Sequence, residues 1–514
     1  MLKNIKRLAA LILCVVLALS CVACAGGNGD GKGNGLGFGG GKNDKTDAEY
    51  GSIELISEYQ DTMTGVFDDK NIVLTFAALS DTHMAGNKYQ YDSSYNILTS
   101  VINQCEQFAT TKKLDAVCFA GDIGNCTNSP GNILAPEEGQ TREEAQVAQG
   151  KIERENLLRA IIDSTDPATK LFYCLGNHDS RNGSNAQLYI DSLSGKNKQY
   201  YNRFFGDDLD KEAMVKGNRH VKINGYSFVA LEADCDDNGY KWLENTLNSI
   251  VKENPQQTIF VFHHYAPASL AFASAGQNKK LRTVLEKFPQ VIVFSGHTHS
   301  QIDFDNAMMQ SDKGFISMTC GGANNLNEGR IVTTAGGSPL NAPNSDMKGY
   351  NQGLVVEVDK NGNVRISRYN FKIGKKTASS YVIPAVKKDG TRSLDYTKDR
   401  KDKISAPVFI SGDISAQKLG KNIKLKFPAA ASPTQKIYRY EITITNTATN
   451  EKSGIKYVSS LFYKFATPAE CPQEFDVTFE PGINIDKGTY RIEVVAVDSW
   501  PLKSKPLTYE LVVK

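Results

Sequence analysis

Charge of one sign is scarce as an excess: 59 Lys and Arg against 57 Asp and Glu leave a formal net charge of +2 over 514 residues. A groove built for phosphate backbones shows a clear basic excess or stripe, so specific nucleic-acid binding is not expected. Long apolar runs are also missing. Beyond the N-terminal segment no stretch approaches about 18 consecutive apolar residues, so no further helical span is expected. Cysteine is sparse: those at 105, 118, 126, 174, 235, 320 and 471 are an odd set without CxxC spacing. They predict neither a disulfide framework nor a cysteine metal site, and Cys118 and Cys174, inside apolar runs, read as small core residues. Histidine is scarce too. There are seven, and all but His220 fall at or just past the end of an apolar, strand-like run.

With 40% hydrophobic and 23% charged residues the composition is ordinary globular, and the length predicts two folded parts plus tails. Residues 1–24 read as an export segment: Lys3, Lys6 and Arg7 precede an apolar stretch from Leu8 to Leu19, and Ser20-Cys21-Val22-Ala23-Cys24 follows. This segment resembles a bacterial lipoprotein signal, with Cys24 as the lipidated residue and Cys21 as the alternative. Two or more acyl chains anchor stably where one is marginal. Residues 25–50 form a Gly-rich tether with almost nothing to bury. The expected location is therefore outside the bacterial cytoplasmic membrane, held to it by lipid.

From Asn71 onward, buried strands end abruptly in polar motifs. Ile72 to Leu79 runs into Ser80-Asp81-Thr82-His83, Leu114 to Ala120 into Gly121-Asp122, and Leu171 to Leu175 into Gly176-Asn177-His178-Asp179. Thr258 to Phe262 ends in His263-His264, and Val291 to Phe294 in Ser295-Gly296-His297-Thr298-His299. Between them lie helical patterns, one with a capping box at Thr141 to Glu144. This alternation predicts a largely parallel sheet covered on both faces, with the motifs at one end of the strands. A hairpin is expected at 219–232, turning at Asn224-Gly225. Phe315 to Thr319, Leu354 to Val358 and Val364 to Tyr369 are expected as antiparallel strands closing a second sheet. Glycine permits the tight path before paired histidines, whose side chains can face a common cavity.

In order, Asp-x-His, Gly-Asp, Gly-Asn-His-Asp, a strand-end His and Gly-His-x-His resemble the calcineurin-like metallophosphoesterase superfamily over roughly residues 71–300. The resemblance implies an α/β/β/α sandwich holding two divalent or trivalent ions of Mn, Fe, Zn or Ni, and hydrolysis of phosphomono- or phosphodiesters by a hydroxide that the ions share. It implies that Asp81, His83, Asp122 and His299 hold one ion, that Asp122 bridges, and that Asn177, His263 and His297 complete the second. His178 would protonate the leaving group. Adjacent strand residues point to opposite sides, so only one of His263 and His264 is a ready ligand; the family pattern favours His263, with His264 as its replacement or as a substrate contact. Arg181 and Asn125 are further candidates for substrate contact. Many members carry Asp where this chain has Asn125, and an Asn there can still accept a hydrogen bond but has no charge.

Residues 374–404, rich in Lys, Asp, Ser and Thr, read as a linker that follows a phosphoesterase domain at 51–373. Residues 405–514 hold about seven β-rich segments with turn residues between them, which predicts an antiparallel sandwich. The stretch from Gly488 to Ser499 resembles the penultimate strand of a fibronectin type III or Ig-like domain, a module that spaces, docks or binds a cell-surface ligand. Two alternatives stand beside the enzyme. One is a non-catalytic surface interaction protein that works through the sandwich. The other is a 5′-nucleotidase, against which Asn-His-Asp-Ser stands where that group has Asn-His-Glu-Phe.

Overall fold

Alternation within the apolar runs decides the layering. In Ile72–Leu79 (β1) the side chains of Leu74, Phe76 and Ala78 enter one core and those of Ala77 and Leu79 another, as a strand's period of two requires. The computed structural model describes residues 55–59, 66–84, 88–124, 136–180, 218–271, 278–324, 340–341 and 350–514. All of them fall within one unit of the chain, 41–514.

Helix Lys88–Phe108 (α1), strand Ala116–Ala120 (β2), helix Arg142–Ser164 (α2) and strand Lys170–Cys174 (β3) follow, with a short helical turn at Asn177–Ser180 (α3). The predicted capping box opens α2: Thr141 accepts from the Glu144 N–H, and the Glu144 side chain accepts from the Thr141 N–H. Leu98, Val101 and Ile102 of α1 and Leu157 and Ile161 of α2 pack on Ala77, Val117 and Phe119. The second sheet holds Arg219–Ile223 (β4), Tyr226–Ala230 (β5), Ile259–Phe262 (β6), Val291–Ser295 (β7), Met308–Gln310 (β8) and Ile316–Thr319 (β9), in the order β4-β5-β6-β7-β9-β8. Asp237–Glu253 (α4) and Lys279–Leu285 (α5) cover its outer face. Between the sheets Phe76 meets Phe228, Phe260 and Phe294 edge-on, with ring centroids 5.1, 5.0 and 5.9 Å away. Each such ring contributes about 1.5–3 kcal/mol by burial. The layers are thus helix, sheet, sheet, helix.

Two expectations are corrected. Gln352–Asp359 (β10) and Val364–Asn370 (β11) do not close the second sheet: with Lys375–Ile383 (β12) they join the first, in the order β12-β11-β10-β1-β2-β3, with β10 antiparallel to β1. The strand at 316–319 does lie in the second sheet, antiparallel to β8 on one side and parallel to β7 on the other. The stretch read as linker begins with Lys375–Ile383 (β12), an edge strand of nine residues whose Tyr381 and Ile383 enter the core between the sheets. Its first six residues, mostly Lys, Thr and Ser, hid the strand, because Thr377 and Ser380 are buried through hydrogen bonds to Asp303 and Ser367 rather than by apolar character.

The C-terminal region comprises Val408–Phe409 (β13), Ser415–Leu419 (β14), Asn422–Pro428 (β15), Ala430–Ala431 (β16), Arg439–Asn446 (β17), Lys456–Ser459 (β18), Glu474–Phe479 (β19), Gly488–Val497 (β20) and Leu507–Val513 (β21). It is all-β. The antiparallel sheets β14-β15-β19 and β18-β17-β20-β21 enclose Leu425, Tyr440, Ile442, Phe475 and Ile492. A separate cluster of Phe304, Tyr438, Phe462 and Tyr463 joins this region to the loop after β7. Among the described residues no helix is long and apolar enough to cross a membrane, and Cys105, Cys118, Cys174, Cys235, Cys320 and Cys471 are free thiols.

Candidate metal centre

Strands β1, β2 and β3 of one sheet and β6 and β7 of the other end at the same edge of the sandwich, as parallel strands do in sheets that place a site at their carboxyl ends. Glycines let the loops close on one another. A Cβ at Gly176 would overlap Asp122 Oδ1, and one at Gly296 would overlap Ser80 Oγ and Asp81 Oδ2. Gly121, at φ +86°, leaves 2.6 Å for such an atom before His264 Nδ1.

The side chains converge in three overlapping groups, Asp81-His83-His299, His83-Asp122-His178 and Asp122-His264-His297, with the potential ligand atoms of each within 4.8 Å of one another. Asp81 Oδ1 is 3.1 Å from His299 Nε2, which is itself 3.1 Å from His83 Nε2. Asp122 Oδ2 is 3.1 Å from His264 Nε2 and 3.9 Å from His178 Nε2. Asn177 Oδ1 lies 3.2 Å from the same His264 nitrogen. Backbone donors fix the carboxylates: the His297 N–H donates to Asp81 at 3.1 Å, and the His178 N–H to Asp122 Oδ1 at 2.8 Å. Asp81, His83, Asp122, His297 and His299 all take positive φ, between 41° and 69°.

The electrostatics call for a cation. His264 Nδ1 sits 2.8 Å from the Ala120 carbonyl oxygen, so it carries the proton. That leaves the Nε2 lone pair facing a carboxylate oxygen and an amide oxygen, an arrangement that a proton or a metal ion must satisfy. Burial opposes a charge on this ring, but Asp122 outweighs it and raises the His264 pKa to about 9. Burial pushes His83 down to about 4, and the neighbouring His299 adds to the effect. Burial works against ionised Asp81 and Asp122 as well, yet His299 and His264 respectively hold the two carboxyls below their ordinary values. Ionised carboxylates, imidazole nitrogens and one amide oxygen facing a shared space form the mixed oxygen and nitrogen donor set that suits first-row transition ions.

Sequence reading and structure part at His263. Its Nδ1 lies 2.8 Å from the Tyr265 carbonyl oxygen, and Asn278 Nδ2 lies 3.3 Å from both ring nitrogens. The three donor groups include His264 and not His263. The signal was in the strand: Phe260 and Phe262 face the space between the sheets, and continued alternation puts His264, not His263, on that side. Asp179 is a second residue that sequence reasoning missed. Its buried carboxylate accepts from the N–H groups of Ile123 at 3.1 Å, Gly124 at 2.9 Å and Gly176 at 2.9 Å, tying the Asp122 loop to the Asn177 loop. Burial, with Asp122 nearby, raises its pKa to about 6. His178 Nδ1 is buried without a hydrogen-bond partner among the described residues. Asn125, Arg181 and Cys24 lie outside the described residues.

Residues 74–301 match the family model for calcineurin-like phosphoesterase, and every donor named above lies within that stretch. Cyclic GMP-AMP phosphodiesterase SMPDL3A of Mus musculus is 24% identical over 176 residues, which cover 30% of this chain and 38% of that protein. Among solved structures, the purple acid phosphatase PPD1 from yellow lupin (Lupinus luteus) seeds aligns with 13% identity over 62% of this chain and 55% of that one, at a TM-score of 0.37.

Proposed function

We propose that this chain is a dinuclear metal-dependent phosphoesterase acting on phosphomono- or phosphodiesters. The observation that carries this reading is that Asp122 belongs to two of the three donor groups and so stands between His83 on one side and His264 and His297 on the other. One ion would be held by Asp81, His83, Asp122 and His299, and the second by Asp122, Asn177, His264 and His297. Two such cations, of Mn, Fe, Zn or Ni, would polarise the phosphoryl oxygens and acidify the attacking water.

The protein's own groups prepare that chemistry. Asp122 and Asp81 stay ionised against burial because imidazoles flank them. His178, whose pKa burial lowers, stands beside Asp122 with its ring centroid 4.7 Å from that of His83, positioned to give a proton to the departing oxygen. Asp179 holds the loops of Asp122 and Asn177 at a fixed separation.

The export segment, lipidation at Cys24 with Cys21 as alternative, and the tether at 25–50 belong to the same proposal: an enzyme held at the outer face of a bacterial membrane. The all-β region is read as an Ig or fibronectin III-like sandwich. The phosphodiesterase name of the mouse relative makes diesters the first substrates to try.

The test strips the purified protein with chelator, restores Mn, and follows a chromogenic phosphodiester, a phosphomonoester and cyclic nucleotides. Turnover that returns with Mn is expected on at least one. No turnover, together with no bound metal, would overturn the reading.

A further inference from the structure

The backbone leaving His299 does not return to solvent. Gln301, Ile302, Asp303 and Phe304 are all buried, and hydrogen bonds hold this segment along its length. Ile302 N–H donates to Gln352 Oε1 at 2.8 Å, and Arg368 Nη1 donates to the carbonyls of Ile302 and Phe304 at 2.9 and 2.8 Å. Asp303 Oδ2 accepts from Gln352 Nε2 at 2.5 Å, and Oδ1 accepts from the Thr377 hydroxyl. The remaining tie comes from the C-terminal region: Lys436 Nζ lies 2.5 Å from Asp303 Oδ1, and both side chains are 0% exposed. The ammonium has no proton to spare, since it also donates to Thr377 Oγ1 at 2.9 Å and to the Phe465 carbonyl at 2.8 Å.

A fully buried ion pair is a costly way to join two surfaces, because desolvation offsets most of its attraction. Adhesion is available nearby without it: the Phe304 ring packs against Tyr438 at 5.0 Å and Phe462 at 4.5 Å between centroids. What the pair adds is direction. It fixes the carboxylate of Asp303, and with it the far end of the loop whose near end carries His297 and His299.

We propose that Lys436, acting through Asp303, is a positioning residue for His297 and His299, so that the all-β region is a working part of the metal centre. This rests on the phosphoesterase reading above. Outer groups that orient metal ligands govern affinity as well as geometry. Coupling of this kind is also reciprocal, so an ion at the centre must tighten the junction with the all-β region.

Hydrogen exchange on the full-length protein, with and without Mn, tests the reciprocal effect. Slower exchange with Mn is expected in peptides covering 300–305, 436–438 and 462–465. Protection confined to the donor loops, with 436–465 unchanged, would overturn the proposal. The second arm is the double variant K436M/D303N. Its Asn keeps an oxygen for Gln352 and offers an N–H to Thr377 Oγ1 in place of the Lys436 ammonium, so the charged tie to the all-β region is removed and, besides it, only the Thr377 hydroxyl proton loses its acceptor. Calorimetry should show Mn affinity lower by about 10–100-fold, and kcat should fall at saturating Mn with KM little changed. Wild-type Mn affinity in the folded variant would also overturn the proposal, and if the variant does not fold the exchange result decides. Wild-type protein that binds Mn but hydrolyses no ester would sink the phosphoesterase reading alone, because exchange and affinity still report on Lys436.

Discussion

His264 Nε2 faces Asp122 Oδ2 at 3.1 Å, while the ring of the adjacent His263 faces Tyr265 and Asn278. Two neighbouring histidines therefore make opposite predictions. His264→Ala should lower Mn affinity by more than about 100-fold, beyond what loss of an outer group costs, and should remove activity. His263→Ala should keep bound Mn and show its effect as lowered thermal stability. Metal content by elemental analysis beside thermal melts distinguishes the two, and the reverse pattern would restore the sequence-based choice of ligand. Asp122→Asn should lose both metal and turnover; an active, metal-loaded variant would contradict the shared role of that carboxylate.

Asp179 tests how the loops are joined. Removing its carboxylate strands the N–H groups of Ile123, Gly124 and Gly176, at about 1–3 kcal/mol for each buried donor left unpaired. Asp179→Ala is expected to lower stability by several kcal/mol in denaturant titrations and to weaken Mn binding with it. Asp179→Asn, which keeps one acceptor oxygen, should fall between wild type and Ala. An Ala variant of unchanged stability would show that the three donors find other partners.

Glycine tests the close approach of the loops. Gly176→Ala and Gly296→Ala push a methyl group into Asp122 and into Ser80 and Asp81. Each should cost about 1–3 kcal/mol as overpacking and displace a donor, so Mn affinity falls too. Gly454→Ala, with open space around the added atom, should leave both unchanged. Equal behaviour of the three would refute the packing argument.

Glu232 gives a pH dependence. Burial, with Asp234 close by, raises its pKa from 4.5 to about 7, so the fold favours the protonated form. Its contribution to stability is complete below pH 4.5 and is lost as pH rises through about 7, because the unfolded chain releases the proton more readily. Glu232→Gln should flatten the decline in melting temperature between pH 5 and pH 8 and raise the melting temperature at pH 8. A variant whose melting curves track wild type at both values would remove Glu232 as the cause.

Much of the centre was legible in the chain because buried strands end sharply. The runs before Asp81, Asp122, Asn177 and His297 are almost wholly apolar, and the polar tips stand out against them. The capping box at Thr141 was equally readable, being written within four residues. Strand pairing was not. The partnership of β1 with β10 joins segments far apart in the chain, Ile72–Leu79 with Gln352–Asp359, and neither carries a local mark of the other. The choice between His263 and His264 turns on which face of β6 looks into the space between the sheets: alternation pairs His264 with Phe260 and Phe262, but both faces of that strand are apolar, so the residues alone do not say which one is inside. Asp179 escaped because its partners are backbone groups, which no residue pattern reveals.

The five donors with positive φ have a further consequence. L-residues avoid that conformation, and each instance costs on the order of 1–3 kcal/mol. The chain is therefore bent against its own preference at five of the candidate donor positions. On the metal-centre reading, replacing one of them with another side chain would keep the unfavourable bend and lose a donor for the ion that offsets it, whereas glycine would relax the bend and lose the donor as well. If the proposed reaction is right, a lineage that stopped needing it would gain robustness first at these peptide units, because durability and the donor geometry compete for the same few bonds.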